Sequence, residues 1–223
     1  PDGLRLGDLV RRVLDEVPDL FRLRLSSVDC AEIDDALFEA LTTDARVAPY
    51  LHLSLQAGSD LILKRMKRRH RRDDAVQLAR ALRGARAGVA LGADFIAGFP
   101  TETEEDFAET LDLIDEAGIN FVHAFPFSPR AGAPAARMPA VKGPVIAERA
   151  RALREKGAAA TAAFLDSLIG REEVAVVESG GRARLGNFAS VSLAAPAGPG
   201  DLARVRIIAR SGDALTAEFL GEA

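Results

Sequence analysis

Polar side chains and a Gly-Phe-Pro turn stand at the ends of three apolar, strand-like segments. Ser54 and Gln56 close the first segment, Asp94 lies inside the second, which breaks at Gly98, and Ser-Pro-Arg at 128–130 follows the third. A carboxylate buried in an apolar strand without a partner is costly, and glycine lets the backbone approach a ligand closely. These residue types favour a ligand-binding mouth at the strand ends. The alternatives are an outward-pointing carboxylate and a glycine that only turns the chain.

The segment 64–72, which reads KRMKRRHRR, is unusually basic. Residues 64–86 hold ten Lys or Arg against two Asp, although the chain as a whole has a net charge of −4. Positive charge concentrated in this way binds the phosphates of a nucleic acid or a carboxylate of a ligand. We favour such a function over the alternative of an exposed helix end.

The acids, histidines and single cysteine give weaker signals. Acids at 102–116 suit the first turn and solvent face of a helix, with Glu102, which precedes the helix cap, as the exception. We interpret His52 and His123, both inside strands, as satisfied core groups, because no second type of metal ligand is suitably spaced near them. Cys30 is the only cysteine and is interpreted as structural. One cysteine excludes an intrachain disulfide and a multi-cysteine metal or iron–sulfur site within these residues.

Composition is typical of a soluble globular protein, with 223 residues, 48% of them hydrophobic, and a mean hydropathy of +0.05. This length predicts one or two domains. No run approaches the ~20 apolar residues of a membrane span, and the N-terminus lacks the pattern of a signal peptide. We therefore expect a cytoplasmic protein without a membrane partner. The first residue is Pro1 rather than Met, which indicates an excised fragment or processing.

Alternating helices and strands must position the candidate residues. Helical spacing predicts helices at 6–17, 31–42, 73–85 and 103–118, and period-two patterns predict strands at 20–27, 50–56, 89–99 and 120–128. Thr103 and Asp106 match a capping box, and Gly118 is expected to close that helix. The alternation predicts right-handed βαβ units and a parallel sheet with ligands at the carboxyl ends of its strands.

The pattern changes after the fourth strand. A connector rich in Pro, Ala and Gly leads to an Ala-rich helix at 145–169. Short strand-like segments separated by Gly, Pro and Asp then predict a small antiparallel barrel, with a domain boundary near 170. The segments lie at 172–178, 182–193, 203–210 and 214–220.

Four motifs, in their order and spacing, resemble the radical S-adenosylmethionine methylthiotransferases. They read LRLSSVD at 23–29, LHLSLQAGSDLILKRMKRRH at 51–70, LGADFIAGFPTETEEDF at 91–107 and HAFPFSPRAGAPAARMP at 123–139. The resemblance covers residues 4–140, and residues 171–223 resemble the small TRAM β-barrel that ends these enzymes. It implies an α/β fold with three parts: the C-terminal part of a partial parallel (βα) barrel of radical SAM type at 1–140, a connecting helix at 141–170, and a TRAM-like barrel at 171–223.

Branches of this family differ at readable places. The SLQAG and LRLSS strands resemble the enzymes that methylthiolate N6-threonylcarbamoyladenosine beside the tRNA anticodon, whereas the isopentenyladenosine branch typically has a Pro-Val-Gln type strand. Ser-Pro-Arg at 128–130 resembles both tRNA branches, and the ribosomal-protein branch usually has an acid after Ser-Pro. We therefore favour the threonylcarbamoyladenosine branch, with an isopentenyladenosine enzyme as the alternative.

The resemblance also implies cofactors, partners and site residues. Such enzymes bind S-adenosylmethionine and two [4Fe–4S] clusters, one of them on a CxxxCxxC loop, and act on the tRNA anticodon stem-loop. Because this chain has one cysteine, we expect it to lack the cluster loop and the N-terminal domain and to be inactive alone. The matching positions on the cofactor side are Ser54, Gln56, Asp94, Ile96, Gly98 and Phe127. Arg130 is expected to contact the substrate, and Arg68 to pair with a carboxylate or phosphate.

Three departures from the family pattern, and one rival function, complete these expectations. Thr101 replaces the second Gly of the family's Gly-Phe-Pro-Gly turn, which predicts a less permissive turn. Ala131 and Ala133 stand where Pro and Thr are common, so the loop is expected to be less rigid.

The rival interpretation is a cluster-free RNA-binding protein that uses the basic segment and the terminal barrel. Loss of the first barrel strands would expose a sheet edge, so we expect self-association of the fragment or burial by the missing domain.

Overall fold

A computed structural model describes residues 3–194 and 197–223. The chain forms two compact units, one ending at Gly157 and the other beginning at Ala158. The division falls inside the helix Gly143–Asp166, called α6 below. In the described part of the chain, no helix combines the length and apolar character needed to cross a membrane.

A four-stranded parallel sheet is the frame of the first unit within those ranges. Its strands are β1 (Leu23–Val28), β2 (Val47–Gln56), β3 (Ala90–Ala97) and β4 (Phe121–Pro126). They lie side by side in chain order, and all three pairings are parallel. The predicted parallel sheet is therefore confirmed. Because neighbouring parallel strands end at the same edge, the turns after β2, β3 and β4 meet there.

Helices alternate with these strands. Their bounds are α1 (Leu6–Glu16), α2 (Asp35–Thr43), α3 (Asp60–Arg65), α4 (Arg72–Ala85) and α5 (Glu104–Glu116). The predicted capping box of α5 is confirmed: Asp106 donates its N–H to the Thr103 hydroxyl at 3.2 Å and accepts the Thr103 N–H at 3.0 Å. Gly118, with φ +57°, follows the helix end. These local signals fix where the chain leaves the β3 turn.

Two local predictions about helices are wrong. The predicted helix at 31–42 is a 3₁₀ turn, Cys30–Glu32, followed by the separate helix α2. Asp29 accepts the Ala31 N–H at 3.0 Å and Asp34 accepts the Leu37 N–H at 2.8 Å, so each piece has its own cap. Helix α3 was not expected, and the basic segment begins within it.

The two faces of the sheet differ in polarity. One face carries fully buried apolar side chains, among them Leu51, Leu53, Leu55, Leu91 and Phe95. The intervening positions of β2 and β3 hold Tyr50, His52, Ser54, Gln56, Gly92, Asp94 and Ile96. Register places His52 opposite Gly92 and Asp94 opposite His123. Because side chains alternate across a strand, this second set shares one polar face.

The second unit is a closed barrel of five strands among the described residues. Its strands are β5 (Glu172–Val177), β6 (Arg182–Leu185), β7 (Ser190–Leu193), β8 (Leu202–Ser211) and β9 (Ala214–Glu222), in the order β5-β6-β7-β9-β8. Two features correct the prediction. The segment 182–193 is two strands with a turn between them, and β7 pairs with β9 in parallel. A closed ring with an odd number of strands cannot be antiparallel throughout, so one parallel pair is required.

Candidate functional site

Five of the residues singled out in the sequence line one cavity at the carboxyl ends of β2, β3 and β4. They are Gln56, Asp94, Ile96, Phe127 and Arg130, and the cavity has a volume of about 440 Å³. Residues far apart in the chain meet here because adjacent parallel strands end at a common edge. The cavity combines an apolar wall with an amide, a carboxylate and a guanidinium.

Backbone geometry at the strand ends fixes the cavity wall. Gln56, the last residue of β2, has φ +69°, an uncommon left-handed conformation for a residue other than glycine. Phe127 donates its N–H to the Ala97 carbonyl at 2.8 Å, one step beyond the end of β4. The Phe127 ring meets Phe99 edge to face with 5.5 Å between the ring centroids. Ile96 packs in the same apolar cluster, which holds the wall in place.

Arg68 and Ser54 lie beside this cavity. Arg68 lines an adjoining cavity of about 370 Å³ that shares Gln56 and Ile96 with the first. Ser54 and Arg68 together line a third, polar cavity that also contains Asp29. The expected cofactor and substrate positions, except Gly98, therefore extend over three adjoining depressions at one edge of the sheet.

Arg68 is held by partners inside the protein. Its Nη2 donates to Asp29 at 2.9 Å and to the Ser54 carbonyl at 2.8 Å. Burial alone would raise the pKa of Asp29, but the Ala31 N–H, Arg68 and His70 lower it below its usual value. Asp29 is thus an anion that balances Arg68. The buried Nε of Arg68 has no hydrogen-bond partner among the described residues, which leaves one N–H available for a ligand.

The rest of the basic segment contains paired cations and exposed cations, and Arg69 is both. Arg69 pairs with Glu32 at 2.8 Å and Arg72 with Glu116 at 2.6 Å. These contacts use part of the positive charge that the sequence shows. The cations of the segment that are classed as exposed are Lys64, Arg65, Lys67, Arg69 and Arg71.

The Gly-Phe-Pro turn is anchored by a buried ion pair. Gly98, with φ +74°, donates its N–H to Glu102 Oε2 at 2.8 Å, and Arg149 Nη1 donates to the same oxygen at 2.7 Å. Burial raises the pKa of Glu102, an effect that the Gly98 N–H and Arg149 oppose. A Cβ at Gly98 would lie 2.5 Å from the Ile146 side chain. Thr101 has φ +69°, so the expected strain of this turn is present in the backbone.

Asp94 lies between two histidines. His52 fits the interpretation as a satisfied core group, but His123 does not, and a second type of metal ligand, Asp94, does lie near both. Asp94 Oδ1 is 2.8 Å from His52 Nε2 and 3.3 Å from His123 Nδ1. His52 is buried, whereas the His123 side chain is 51% exposed. The sequence contains a signal for this proximity. His52, Asp94 and His123 stand four positions before Gln56, Gly98 and Phe127, respectively, which lie at the ends of neighbouring strands.

Cys30 is a partly buried thiol. Burial, with the neighbouring Asp29 carboxylate, raises the pKa of Cys30 to about 12. A thiol with such a pKa is almost wholly protonated near neutral pH. This agrees with the structural role expected from the sequence.

Comparison with known proteins shows a similarity to radical SAM enzymes. Residues 9–114 match the model of the radical SAM superfamily. The chain is 46% identical over 193 residues to threonylcarbamoyladenosine tRNA methylthiotransferase MtaB of Rickettsia prowazekii, an alignment covering 86% of this chain and 46% of that protein. It is 38% identical over 227 residues to a tRNA-2-methylthio-N(6)-dimethylallyladenosine synthase of Cereibacter sphaeroides, covering 99% of this chain and 52% of that protein.

Solved structures show a more distant likeness. Coproporphyrinogen III oxidase (HemN) from Escherichia coli, described as a radical SAM enzyme, aligns with a TM-score of 0.45 and 18% identity over 74% of this chain and 39% of that chain. That similarity is too low to establish a common fold by itself. The chain spans about half the length of the curated relatives it matches. In its four motifs, its match to the radical SAM model and its identity to these relatives, the chain is similar to the radical SAM methylthiotransferases.

Proposed function

We propose that this chain is the C-terminal part of an enzyme that methylthiolates C2 of N6-threonylcarbamoyladenosine next to the tRNA anticodon by radical S-adenosylmethionine chemistry. The observation that supports this most is the cavity of about 440 Å³ at the ends of β2, β3 and β4. Residues expected on the cofactor side and Arg130, expected on the substrate side, line the same space.

The cavity is suited to S-adenosylmethionine. Its volume lies in the range of roughly 300–1,000 Å³ of small-molecule sites. Ile96 and Phe127 offer apolar surfaces to a flat adenine ring, and Gln56 and Asp94 offer polar groups to amino or hydroxyl groups. Bound there together with a cluster, S-adenosylmethionine would supply the radical chemistry that removes hydrogen from adenine C2. The role proposed for these four residues is to bind and orient the cofactor.

The iron–sulfur clusters do not fit the residues of this chain. A [4Fe–4S] cluster is held by several cysteine thiolates, whereas the chain has one cysteine, whose pKa is raised to about 12. We propose that the cluster ligands belong to other parts of the parent enzyme and that the 223 residues alone are inactive. Expressed alone in a strain that lacks the gene, the chain should not restore methylthiolation, whereas the complete gene should.

RNA contact is proposed for Arg130 and the exposed cations of the basic segment. Arg130 is exposed and lines the cavity, so it can approach a nucleotide whose base enters there. The five-stranded barrel of the second unit is proposed to be TRAM-like and to contribute to tRNA binding. Binding of an anticodon stem-loop RNA should weaken steeply with salt, because phosphate contacts release counterions.

The choice of nucleoside rests on the SLQAG and LRLSS strands and on the greater identity to the threonylcarbamoyladenosine enzyme, 46% against 38%. Nucleoside mass spectrometry of tRNA from a strain without the gene tests it. We expect the methylthio form of threonylcarbamoyladenosine to disappear and the unmodified form to accumulate. Loss of methylthio-isopentenyladenosine, with the threonylcarbamoyl form intact, would instead support the sibling branch.

A cluster-free RNA-binding protein is the second candidate. The single protonated thiol and the exposed cations of the basic segment favour it. The reading frame upstream of Pro1 discriminates the two. A CxxxCxxC motif there supports the enzyme, and a start codon directly before Pro1 supports the binding protein.

Association with further protein surface is proposed as well. Among the described residues, β1 and β4 each pair with one strand only, and Phe125 on β4 is 51% exposed. Unpaired edges and exposed apolar side chains favour association. We propose that the parent enzyme covers them and that the isolated chain self-associates. Light scattering that shows a pure monomer at high concentration would contradict this.

A further inference from the structure

We propose that His52, Asp94 and His123 bind a divalent transition-metal cation on the polar face of the sheet. The three residues come from β2, β3 and β4, and each offers one ligand atom within 4.8 Å of the others. Two imidazoles and one carboxylate form a common donor set for zinc, iron and related cations. This site is distinct from any iron–sulfur cluster. It shares Asp94 with the cofactor side of the function proposed above, but binding of the cation can be measured whether or not that function holds.

Two of the three distances between the ligand atoms are close to those around one cation, and all three lie within 4.8 Å. With metal–ligand bonds of about 2.0–2.2 Å, two atoms bound to one cation are about 3.0–3.5 Å apart at octahedral or tetrahedral angles. Asp94 Oδ1 lies 2.8 Å from His52 Nε2 and 3.3 Å from His123 Nδ1. The two histidine rings are 4.8 Å apart between centroids. Because His123 is half exposed, its ring can turn to complete the set, while buried His52 stays fixed.

A hydrogen bond behind His52 prepares it as a ligand. Tyr50 Oη is 3.0 Å from His52 Nδ1, the ring nitrogen that faces away from Asp94. A proton on Nδ1 can be donated to the tyrosine oxygen, which leaves Nε2 with a lone pair directed at the cation. Metal binding at Nε2 thus requires the single ring proton of neutral His52 to be on Nδ1, where Tyr50 accepts it.

The backbone at Gly92 protects this arrangement. A Cβ at Gly92 would lie 2.8 Å from His52 Nδ1 and closer still to the Tyr50 hydroxyl. A side chain there would displace the Tyr50–His52 hydrogen bond. The absence of a side chain at Gly92 therefore leaves space for Tyr50, which orients His52, as well as for His52 itself.

Three protein ligands leave coordination positions open. Asp94 also lines the cavity of about 440 Å³, so the open positions face the space in which a small molecule binds. Sites of this type keep a position for water or for a donor atom of the bound molecule. The cation would therefore be accessible from the cavity rather than enclosed as a purely structural ion.

Titration of the untagged, EDTA-treated chain with Co²⁺ tests the proposal, followed by displacement with Zn²⁺. We expect one Co²⁺ per chain with visible d–d absorption, and hyperfine-shifted imidazole NMR signals from His52 and His123 but not from His70. His123→Ala changes a half-exposed side chain and should keep the fold while weakening Co²⁺ binding by about 100-fold or more. Tyr50→Phe should weaken it by about 10-fold, the effect of losing a hydrogen bond to a ligand.

His70→Gln is the matched control, because His70 is the other histidine paired with an aspartate, Asp29. It should leave Co²⁺ affinity unchanged. If that variant does not fold, the unshifted His70 signal in the parent chain serves the same purpose. The proposal is overturned if the chain binds no Co²⁺, or if His123→Ala binds it as tightly as the parent chain.

Discussion

Replacing Glu102 by Ala should destabilise the first unit more than any exposed substitution near it. The side chains of Glu102 and Arg149 are 1% and 5% exposed and lie 2.7 Å apart. Removing one partner of a buried ion pair costs about 3–5 kcal/mol, because the other charge stays buried. Arg149 keeps a second contact with Glu104, which is 77% exposed, so we expect the lower limit, about 3 kcal/mol. At roughly 2–4 °C per kcal/mol, Tm should fall by about 6–12 °C.

Urea unfolding, monitored by the fluorescence of Tyr50, measures the stability of the first unit. The chain has no Trp and one Tyr, and Tyr50 is buried in the first unit. Glu104→Ala is the matched control, since it removes the exposed contact of the same arginine and should cost less than about 1 kcal/mol. Glu102→Ala combined with Arg149→Met should recover stability relative to Glu102→Ala alone. Equal losses in Glu102→Ala and Glu104→Ala would refute the reasoning.

Three further outcomes depend on single residues. Thr101→Gly should raise the free energy of unfolding by about 1 kcal/mol, because φ +69° strains a β-branched residue; a destabilised variant would contradict this. Despite burial, hydrogen bonds from Ser59 and Thr103 lower the pKa of Asp106 below 3.8, so its stabilisation is present above pH ~4 and lost as pH falls through the lowered pKa. Asp106→Asn should therefore cost stability at neutral pH and little in acid; a pH-independent difference would oppose this. With its pKa raised to about 12, Cys30 should react with Ellman's reagent at pH 8 far more slowly than free cysteine, and equal rates would refute the raised pKa.

Local features of the fold could be predicted because their signals lie within a few residues. The Thr103 capping box and the parallel order of the strands required only short-range patterns and general rules of chain connection. The two-part structure at 30–43 was missed because Asp29 and Asp34 each act as a cap, and two competing caps look like one helix start. Helix α3 was missed because its last residues, Lys64 and Arg65, were interpreted as part of the basic segment 64–72.

Features that depend on distant contacts could be predicted only in part. The strand-end residues were found because a parallel sheet gathers its carboxyl ends, which needs no knowledge of register. Arg149 was missed as the partner of Glu102 because it lies on α6, and nothing in the sequence specifies that this turn of α6 meets the β3 turn. Asp94 and its two histidines depend on the register of three strands. The β7–β9 pairing follows from barrel closure rather than from any single segment.

The ratio of methylthio-threonylcarbamoyladenosine to threonylcarbamoyladenosine without the methylthio group, measured in tRNA, tests the central claim most directly. It is measured by nucleoside mass spectrometry in cells whose complete gene carries Arg130→Ala, an exposed change in the cavity. Arg12→Ala is the control, because Arg12 is an exposed residue of α1 paired with Glu16. At equal protein abundance, the account predicts a ratio lowered at least ~10-fold, or by about 1.4 kcal/mol of transition-state stabilisation, for Arg130→Ala and an unchanged ratio for Arg12→Ala. An unchanged ratio for Arg130→Ala would contradict the assignment of this cavity to the reaction.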